Sequence, residues 1–112
     1  MKYKIVLVPF PFDDLSQAKV RPAVCLTNEI QPYGHVVLAF IASKVPTDLS
    51  ETDFVFLDSD DDFAITGLKV SSTVKLHRLV TVSKTIIKRE LGELTQSQRA
   101  EIEMRLRKLF EI

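Results

Sequence analysis

The chain has 112 residues, of which 46% are hydrophobic and 27% charged, and it contains only three glycines. These values fit one compact domain, residues 1–112, and exclude a disordered or solenoid protein. Fifteen basic residues balance fifteen acidic ones. Overall charge therefore gives no sign of a duplex-binding protein, which is usually basic because phosphate contacts supply most of its affinity.

The sequence also limits the kinds of site that the chain can form and the cellular compartment that we expect for it. Cys25 is the only cysteine, so one chain can form no internal disulfide and no thiolate metal cluster, and we interpret this thiol as a small buried hydrophobic residue. The amino-terminal apolar run is short and interrupted by prolines, and no run approaches the length of a membrane span. We expect a cytoplasmic protein without membrane contact.

Apolar and β-branched runs predict four strands in the first half of the chain. Residues 4–8 form a strand that leaves the sheet near Pro9, since proline cannot donate a hydrogen bond to a neighbouring strand. Residues 21–27 and 35–43 are two more strands, separated by Pro and Gly turn signals. Residues 53–58 form a short fourth strand.

The second half begins with a long β-branched stretch, residues 67–82, that is interrupted at residues 71–72. Beyond this break, polar and hydrophobic residues alternate, which places Thr73, Lys75 and His77 on one strand face. The acidic run at residues 58–62 is interpreted as a solvated loop. It lacks the spacing and the terminal Glu of a calcium loop, so we expect no metal site.

Two helices are predicted near the carboxyl terminus. Residues 83–92 have the pattern of a short helix, with Ser83 as N-cap and Gly92 just past its end. A second helix opens at Thr95 with a capping-box pattern and carries one apolar stripe. Met104 lies off that stripe, where a second subunit could contact it. Short strands followed by helices predict a mainly β or α+β fold, a small antiparallel barrel with a C-terminal helix.

Four segments carry a resemblance to a known family. They are KIVLVPFPFDDLSQAKVRPAVCLTN (4–28), AFIASK (39–44), GLKVSSTVKLHRLVTVSKTII (67–87) and LGELT (91–95). In this order they resemble the MazF/PemK family of toxin endoribonucleases, and the loop that ends in Arg-Pro before a strand is the most specific part. The resemblance implies an SH3-like small barrel, a homodimer, and cleavage of single-stranded RNA without a metal or other cofactor.

The same resemblance implies a reaction and its partners. The ribose 2′-hydroxyl attacks the adjacent phosphate, so the site needs groups that move protons and positive charge near the phosphorane. A cognate antitoxin protein is implied as partner, and any contact with operator DNA is expected only through that antitoxin.

Arg21 matches the catalytic arginine of the family. A guanidinium stays charged and can bind two phosphate oxygens in a planar fork, which suits a developing phosphorane. The alternative is a surface arginine paired with Asp13 or Asp14. We further expect RNA contacts from a set of polar residues, which are Ser16, Gln17, Lys19, Lys44 and Thr73.

The remaining catalytic positions depart from the family pattern. Ala42 stands where the family commonly has a threonine, so Ser43 is the hydroxyl left to assist phosphate binding. Lys75 and His77 stand where some members carry an arginine and an aspartate with acid and base roles. We hypothesise that His77 is the general acid or base, because imidazole exchanges protons readily near neutral pH. His35 is interpreted as a structural or surface residue.

Two other functions remain open from the residues alone. The substitutions at Ala42, Lys75 and His77 fit a protein of the same fold that binds RNA or an antitoxin without cutting. A barrel that binds a small ligand or serves in assembly is the third possibility, because fold alone does not determine function.

Overall fold

The computed structural model describes residues 1–9 and 19–112. It contains six strands, β1 Lys4–Pro9, β2 Val20–Cys25, β3 His35–Ala42, β4 Asp53–Phe56, β5 Ser72–Ser83 and β6 Arg89–Glu93. Helix α1 spans Phe63–Thr66 and helix α2 spans Gln96–Phe110. The strands form one antiparallel sheet in the order β4-β5-β3-β2-β1-β6. The predicted strands and the mainly β class with a C-terminal helix are confirmed.

The sheet buries apolar side chains on both faces, because alternate residues of a strand point to opposite sides. On one face the first core cluster, which includes Ile5, Val24 and Ala39, packs with Ile102 of α2. On the other face the second core cluster comprises Val6, Val8, Ala23, Cys25, Val36, Leu38 and Phe40. The six strands therefore curl into a half-barrel with the helix against one side.

The pairing of β3 with β5 contains a register shift. Phe40 lies opposite Lys75, but its neighbour Ala39 lies opposite Leu79. Residues 76–78 therefore have no partner on β3, and the strict alternation of β5 ends at Leu76. This irregularity determines where His77 and Arg78 point.

Helix α1 and β6 approach each other at two glycines. Gly67 follows α1 in the left-handed conformation, with φ +72, and a Cβ built on it would lie 2.0 Å from the carbonyl oxygen of Leu91. A Cβ on Gly92 would lie 2.1 Å from the carbonyl oxygen of Ile65. Backbone therefore packs directly on backbone here, which only glycine allows.

The predicted capping box of α2 is confirmed. The hydroxyl of Thr95 accepts from the Gln98 amide, and the Gln98 side chain accepts from the Thr95 amide at 2.8 Å. Farther along, Arg105 donates to the carbonyl oxygens of Glu51 and Asp53 at 2.9 and 3.0 Å. These bonds fasten α2 to the segment that leads into β4. Met104 is half exposed.

The predicted helix over residues 83–92 is wrong. Ser83 does cap a turn of 3-10 helix, Lys84–Ile86, but the chain then enters β6, where Gly92 pairs with Ile5 and Arg89 pairs with Leu7. The β-branched residues of this stretch are weak helix formers, and pairing with β1 outweighs the local signals. Within the described residues, no helix is long and apolar enough to cross a membrane.

Candidate functional site

Arg21 lies near the start of β2, opposite Val8 of β1, and its side chain is half-buried. The next pair places Ala23 opposite Phe40 of β3. Arg21 is two residues from Ala23, so it shares a sheet face with Phe40 and lies diagonal to it, at about 7–8 Å between Cα atoms. A long side chain can cross that distance. The Arg-Pro motif therefore brings a guanidinium to the Phe40 side of the sheet.

Lys75 lies directly opposite Phe40 and also pairs with Asp53 of β4. Its Nζ is 3.1 Å from Oδ1 of Asp53, whose side chain is only 4% exposed. Burial raises the pKa of Asp53, but the Ser50 amide, which donates to Oδ2 at 3.0 Å, and the Lys75 ammonium outweigh it, so the pKa lies below its usual value. The charge of Lys75 is thus compensated by a buried carboxylate.

Thr73 pairs with Ala42 on one side and with Val55 on the other, and it is fully buried. Its hydroxyl donates to the carbonyl oxygen of Lys44 at 2.7 Å. The predicted role of Thr73 was RNA contact, but its hydroxyl is engaged with the turn after β3. This hydrogen bond stabilises the turn.

His77 is exposed and turns toward the β4 side of the sheet. Its Nδ1 is hydrogen-bonded to the hydroxyl of Thr52 at 2.9 Å, and that hydroxyl is 2.8 Å from the Ser50 hydroxyl. The register shift follows Lys75, so Lys75 and His77 do not contact the same partner. Lys75 contacts Asp53, whereas His77 contacts Thr52, the residue before Asp53.

Arg78 is a basic residue of this region that the sequence patterns did not single out. Its guanidinium carbon lies 4.4 Å from the centroid of the Phe40 ring. A regular strand would place Arg78 on the same side as Leu76, which belongs to the first core cluster. The register shift instead brings Arg78 to the opposite face, beside Phe40.

Ser43 lies apart from Arg21. It lines a cavity of about 310 Å³ together with Leu7, Pro22, Ser72 and Leu91. Leu7 and Pro22 pair with each other and point to the face opposite Arg21, because they are neighbours of Val8 and Arg21 along their strands. Ser43 thus shares a cavity with residues of the sheet face opposite Arg21.

The other predicted RNA contacts divide into two groups. Lys19 precedes β2 and Lys44 follows β3, and both are exposed. Ser16 and Gln17 lie outside the described residues, as do the alternative Arg21 partners Asp13 and Asp14.

His35 contacts an aromatic ring, and Cys25 lies in the core. The His35 ring stacks on Tyr33, with 5.4 Å between ring centroids. Cys25 is fully buried, and burial raises the pKa of its thiol. Among residues 1–9 and 19–112, no three His, Cys, Asp or Glu side chains are grouped so that they could hold a metal ion.

Several solved structures share this fold. The toxin MazF-mt6 of Mycobacterium tuberculosis superposes with a TM-score of 0.74 at 22% identity, over 97% of each chain. An endoribonuclease in complex with its cognate antitoxin, from a mycobacterial species, gives 0.74 at 16% identity, over 100% of this chain and 95% of that one. MazF from Deinococcus radiodurans gives 0.71 at 18% identity, over 99% and 96%. At these identities the likeness shows the fold.

The family assignment comes from the sequence. A comparison with curated protein sequences found no significant match. Residues 1–110, however, match the model of the family described as PemK-like, MazF-like toxin of type II toxin-antitoxin system. The predicted resemblance is confirmed, and the chain belongs to the MazF/PemK family of type II toxins.

Proposed function

We propose that this protein is a metal-independent endoribonuclease that cleaves single-stranded RNA and acts as the toxin of a type II pair. The observation that carries the proposal is the position of Arg21, which the strand register brings to the same sheet face as Phe40 and Lys75. A guanidinium at that position can hold two oxygens of the scissile phosphate while the 2′-hydroxyl attacks.

His77 is the proposed proton-transfer residue. The Thr52 hydroxyl engages Nδ1, which leaves Nε2 to exchange a proton with the attacking or the leaving oxygen. His77 lies on β5, and β3 lies between β5 and the strand of Arg21. Its role therefore requires the scissile phosphate to lie over β3, where the side chains of both Arg21 and His77 can reach it.

The proposed partners follow from the family and its relatives. One structural neighbour is an endoribonuclease in complex with its cognate antitoxin, and another is a MazE-MazF pair from Deinococcus radiodurans. We infer that this chain also binds an antitoxin, forms a homodimer and works in the cytoplasm. The half-exposed Met104 on α2 is a candidate contact for the second subunit.

A protein that binds RNA or antitoxin without cutting is the second candidate. The observation in its favour is the ion pair of Lys75 with the buried Asp53, since a compensated ammonium adds little positive charge at a phosphorane. Ala42, which has no hydroxyl, lies opposite Thr73 and adds to that candidate.

One experiment separates the two candidates. The purified protein, free of antitoxin, is incubated with a long unstructured RNA and a chelator, and the cut ends are mapped. Discrete cuts that leave 2′,3′-cyclic phosphate, are lost in Arg21→Ala and persist in Arg107→Ala support the toxin nuclease. Arg107 is an exposed arginine on α2 and serves as the matched control. No cleavage by a folded wild-type protein that still binds RNA supports the second candidate.

A further inference from the structure

Thr52 contacts the irregular stretch of β5 through both its backbone and its side chain. Its carbonyl oxygen accepts from the amide of Leu76 at 2.8 Å, and its hydroxyl lies 2.9 Å from Nδ1 of His77. Residues 76–78 have no partner on β3, and the paired register of β4 with β5 ends before them. Thr52 therefore connects the irregular stretch to the β4 side of the sheet.

The turn that carries Thr52 is held in one shape by its own hydrogen bonds. The Asp53 amide donates to the Ser50 carbonyl oxygen at 3.1 Å, and the Ser50 amide donates to Oδ2 of Asp53 at 3.0 Å. The Ser50 hydroxyl accepts from the Thr52 amide at 3.3 Å. Local bonds of this kind fix the backbone of a turn. Helix α2 fastens the turn from outside, because Arg105 donates to the carbonyl oxygens on both sides of Thr52.

The side chain of Thr52 is suited to holding an imidazole. A β-branched side chain has few χ1 rotamers, and the Ser50 hydroxyl, 2.8 Å away, gives the Thr52 hydroxyl a second partner. A hydroxyl can both donate and accept, so it can stay bonded to Nδ1 of His77 whether or not that nitrogen carries a proton. The orientation of the ring can therefore persist when His77 gains or loses a proton.

Nε2 is the nitrogen of His77 that a ligand can reach. His77 is exposed, and within the part of the chain that the structure describes its ring makes no hydrogen bond besides the one at Nδ1. The two ring nitrogens are distinct, so a bond that holds Nδ1 also sets the direction of Nε2. Direction matters for a proton-transfer group, because a misplacement of about 1 Å can cost about 100-fold in rate.

We propose that Thr52 is the positioning residue of His77 and keeps Nε2 available to the reacting oxygens of the RNA. The proton-transfer role of His77 rests on the proposed function, whereas the orientation of its ring rests on the contacts of the turn at residues 50–53. Thr52 itself exchanges no proton with the substrate. Its loss should therefore slow the chemical step through His77 and leave RNA affinity unchanged.

Single-turnover cleavage of a long unstructured RNA, with the full-length protein in excess, tests the proposal. Thr52→Val keeps the shape of the side chain and removes the hydroxyl, and we expect the rate constant to fall about tenfold. Thr52→Ser keeps the hydroxyl and should retain most of the rate. RNA binding, measured by anisotropy, should be the same in both variants as in wild type.

Thr85→Val is the matched control. Thr85 forms the same local contacts with Ser83, with 2.8 Å between the two hydroxyls and 3.3 Å from the Thr85 amide to the Ser83 hydroxyl. Its hydroxyl is bonded to that serine rather than to a histidine. Thr85→Val should therefore cleave RNA at the wild-type rate, which separates the loss of the His77 contact from the loss of a turn hydroxyl.

A second background separates positioning from general damage to the fold. In His77→Ala, cleavage should already be about 100-fold slower, and the addition of Thr52→Val should slow it no further. An equal tenfold loss in both backgrounds would overturn the positioning role. Thermal unfolding of each variant establishes that it is folded.

NMR relaxation of the two imidazole rings gives a readout that does not depend on activity. In wild type we expect the ring of His77 to show restricted motion on the picosecond to nanosecond timescale. Thr52→Val should increase that motion and leave the ring of His35, which stacks on Tyr33, unchanged. A His77 ring that is equally mobile in wild type and in Thr52→Val would overturn the inference.

The outcomes distinguish this inference from the proposed nuclease. A His77 ring that Thr52→Val loosens, in a wild-type background that does not cut RNA, would contradict the nuclease and support the orienting role of Thr52. A ring that Thr52→Val does not loosen, in a protein whose cleavage depends on His77, would overturn the inference and leave the function standing. Cleavage at the wild-type rate in His77→Ala would overturn the catalytic use of the contact.

Discussion

Lys75 and Asp53 form an ion pair between adjacent strands, with 3.1 Å between Nζ and Oδ1, and the two partners differ in burial. The Lys75 side chain is 22% exposed, whereas the Asp53 side chain is 4% exposed. The lysine can turn to water if its partner is lost, but the carboxylate cannot. The cost of breaking the pair should therefore depend on which partner is removed.

Removing the lysine should be the more damaging change. Lys75→Met leaves a buried carboxylate without its cation, and we expect the free energy of unfolding to fall by about 3 kcal/mol. Asp53→Asn keeps an oxygen for the Ser50 amide and leaves an ammonium that can reach solvent, so about 1 kcal/mol is expected. Urea unfolding of the two variants measures the difference. A larger loss in Asp53→Asn would contradict this account of the pair.

The Asp53 carboxylate should make the free energy of unfolding depend on pH in the acid range. The pKa of Asp53 is lower in the folded protein than its usual value, so the folded state favours the ionised form. This contribution is complete above the unfolded pKa of about 3.9 and is lost as pH falls through the lower folded pKa. Wild type should therefore lose its stability advantage over Asp53→Asn below about pH 4. An advantage that stays constant in acid would show that the carboxylate is not the source.

Tyr3 should make the free energy of unfolding depend on pH in the alkaline range. Burial, together with its hydrogen bond to the Glu103 carboxylate, raises the pKa of Tyr3 from 10.0 to about 12. The folded state favours the neutral phenol, so this stabilisation is complete below pH 10.0 and disappears as pH rises to about 12. In a phenolate absorbance titration, Tyr3→Phe should lack the latest step and Glu103→Gln should move it to lower pH. Tyr33→Phe, the control, should leave that step in place.

The approach of α1 to β6 predicts unequal effects of the same substitution at two glycines. Gly92→Ala would place a Cβ 2.1 Å from the Ile65 carbonyl oxygen, so the two backbones must separate, and we expect a loss of about 3 kcal/mol. Gly34 has φ +68 but no atom within 4 Å of its Cβ position. Gly34→Ala should therefore cost only the conformational term, about 1 kcal/mol. Chemical denaturation compares the variants, and equal losses would refute the crowding argument.

Much of the sheet was predictable because local sequence patterns identify most of its strands. The runs that became β1, β3 and β4 combine β-branched residues with turn signals at their ends, and the capping box of α2 is a short-range pattern. The segment at residues 83–92 misled because its N-cap signal was genuine, yet it stabilised only the turn Lys84–Ile86. Pairing of β6 with β1 is long-range, and no local pattern contains it.

The candidate site was less predictable than the fold. Arg21 could be identified because it belongs to a motif, but its relation to Phe40 depends on register. Asp53 was predicted only as the first residue of a short strand, and only the sheet shows that it is buried against Lys75. Arg78 was missed because strict alternation assigns it to the core side, and the register shift reverses that assignment.

The irregular stretch of β5 also bears on how this surface can vary. In a regular strand every second side chain points into the core. Of two neighbouring residues, one would therefore be held to a hydrophobic side chain by the core packing. Here His77 and Arg78 are consecutive, and both are exposed, while Leu76 and Leu79 keep the hydrophobic packing on either side. The bulge thus provides two adjacent exposed positions whose side chains can change in chemistry without any change to the core packing.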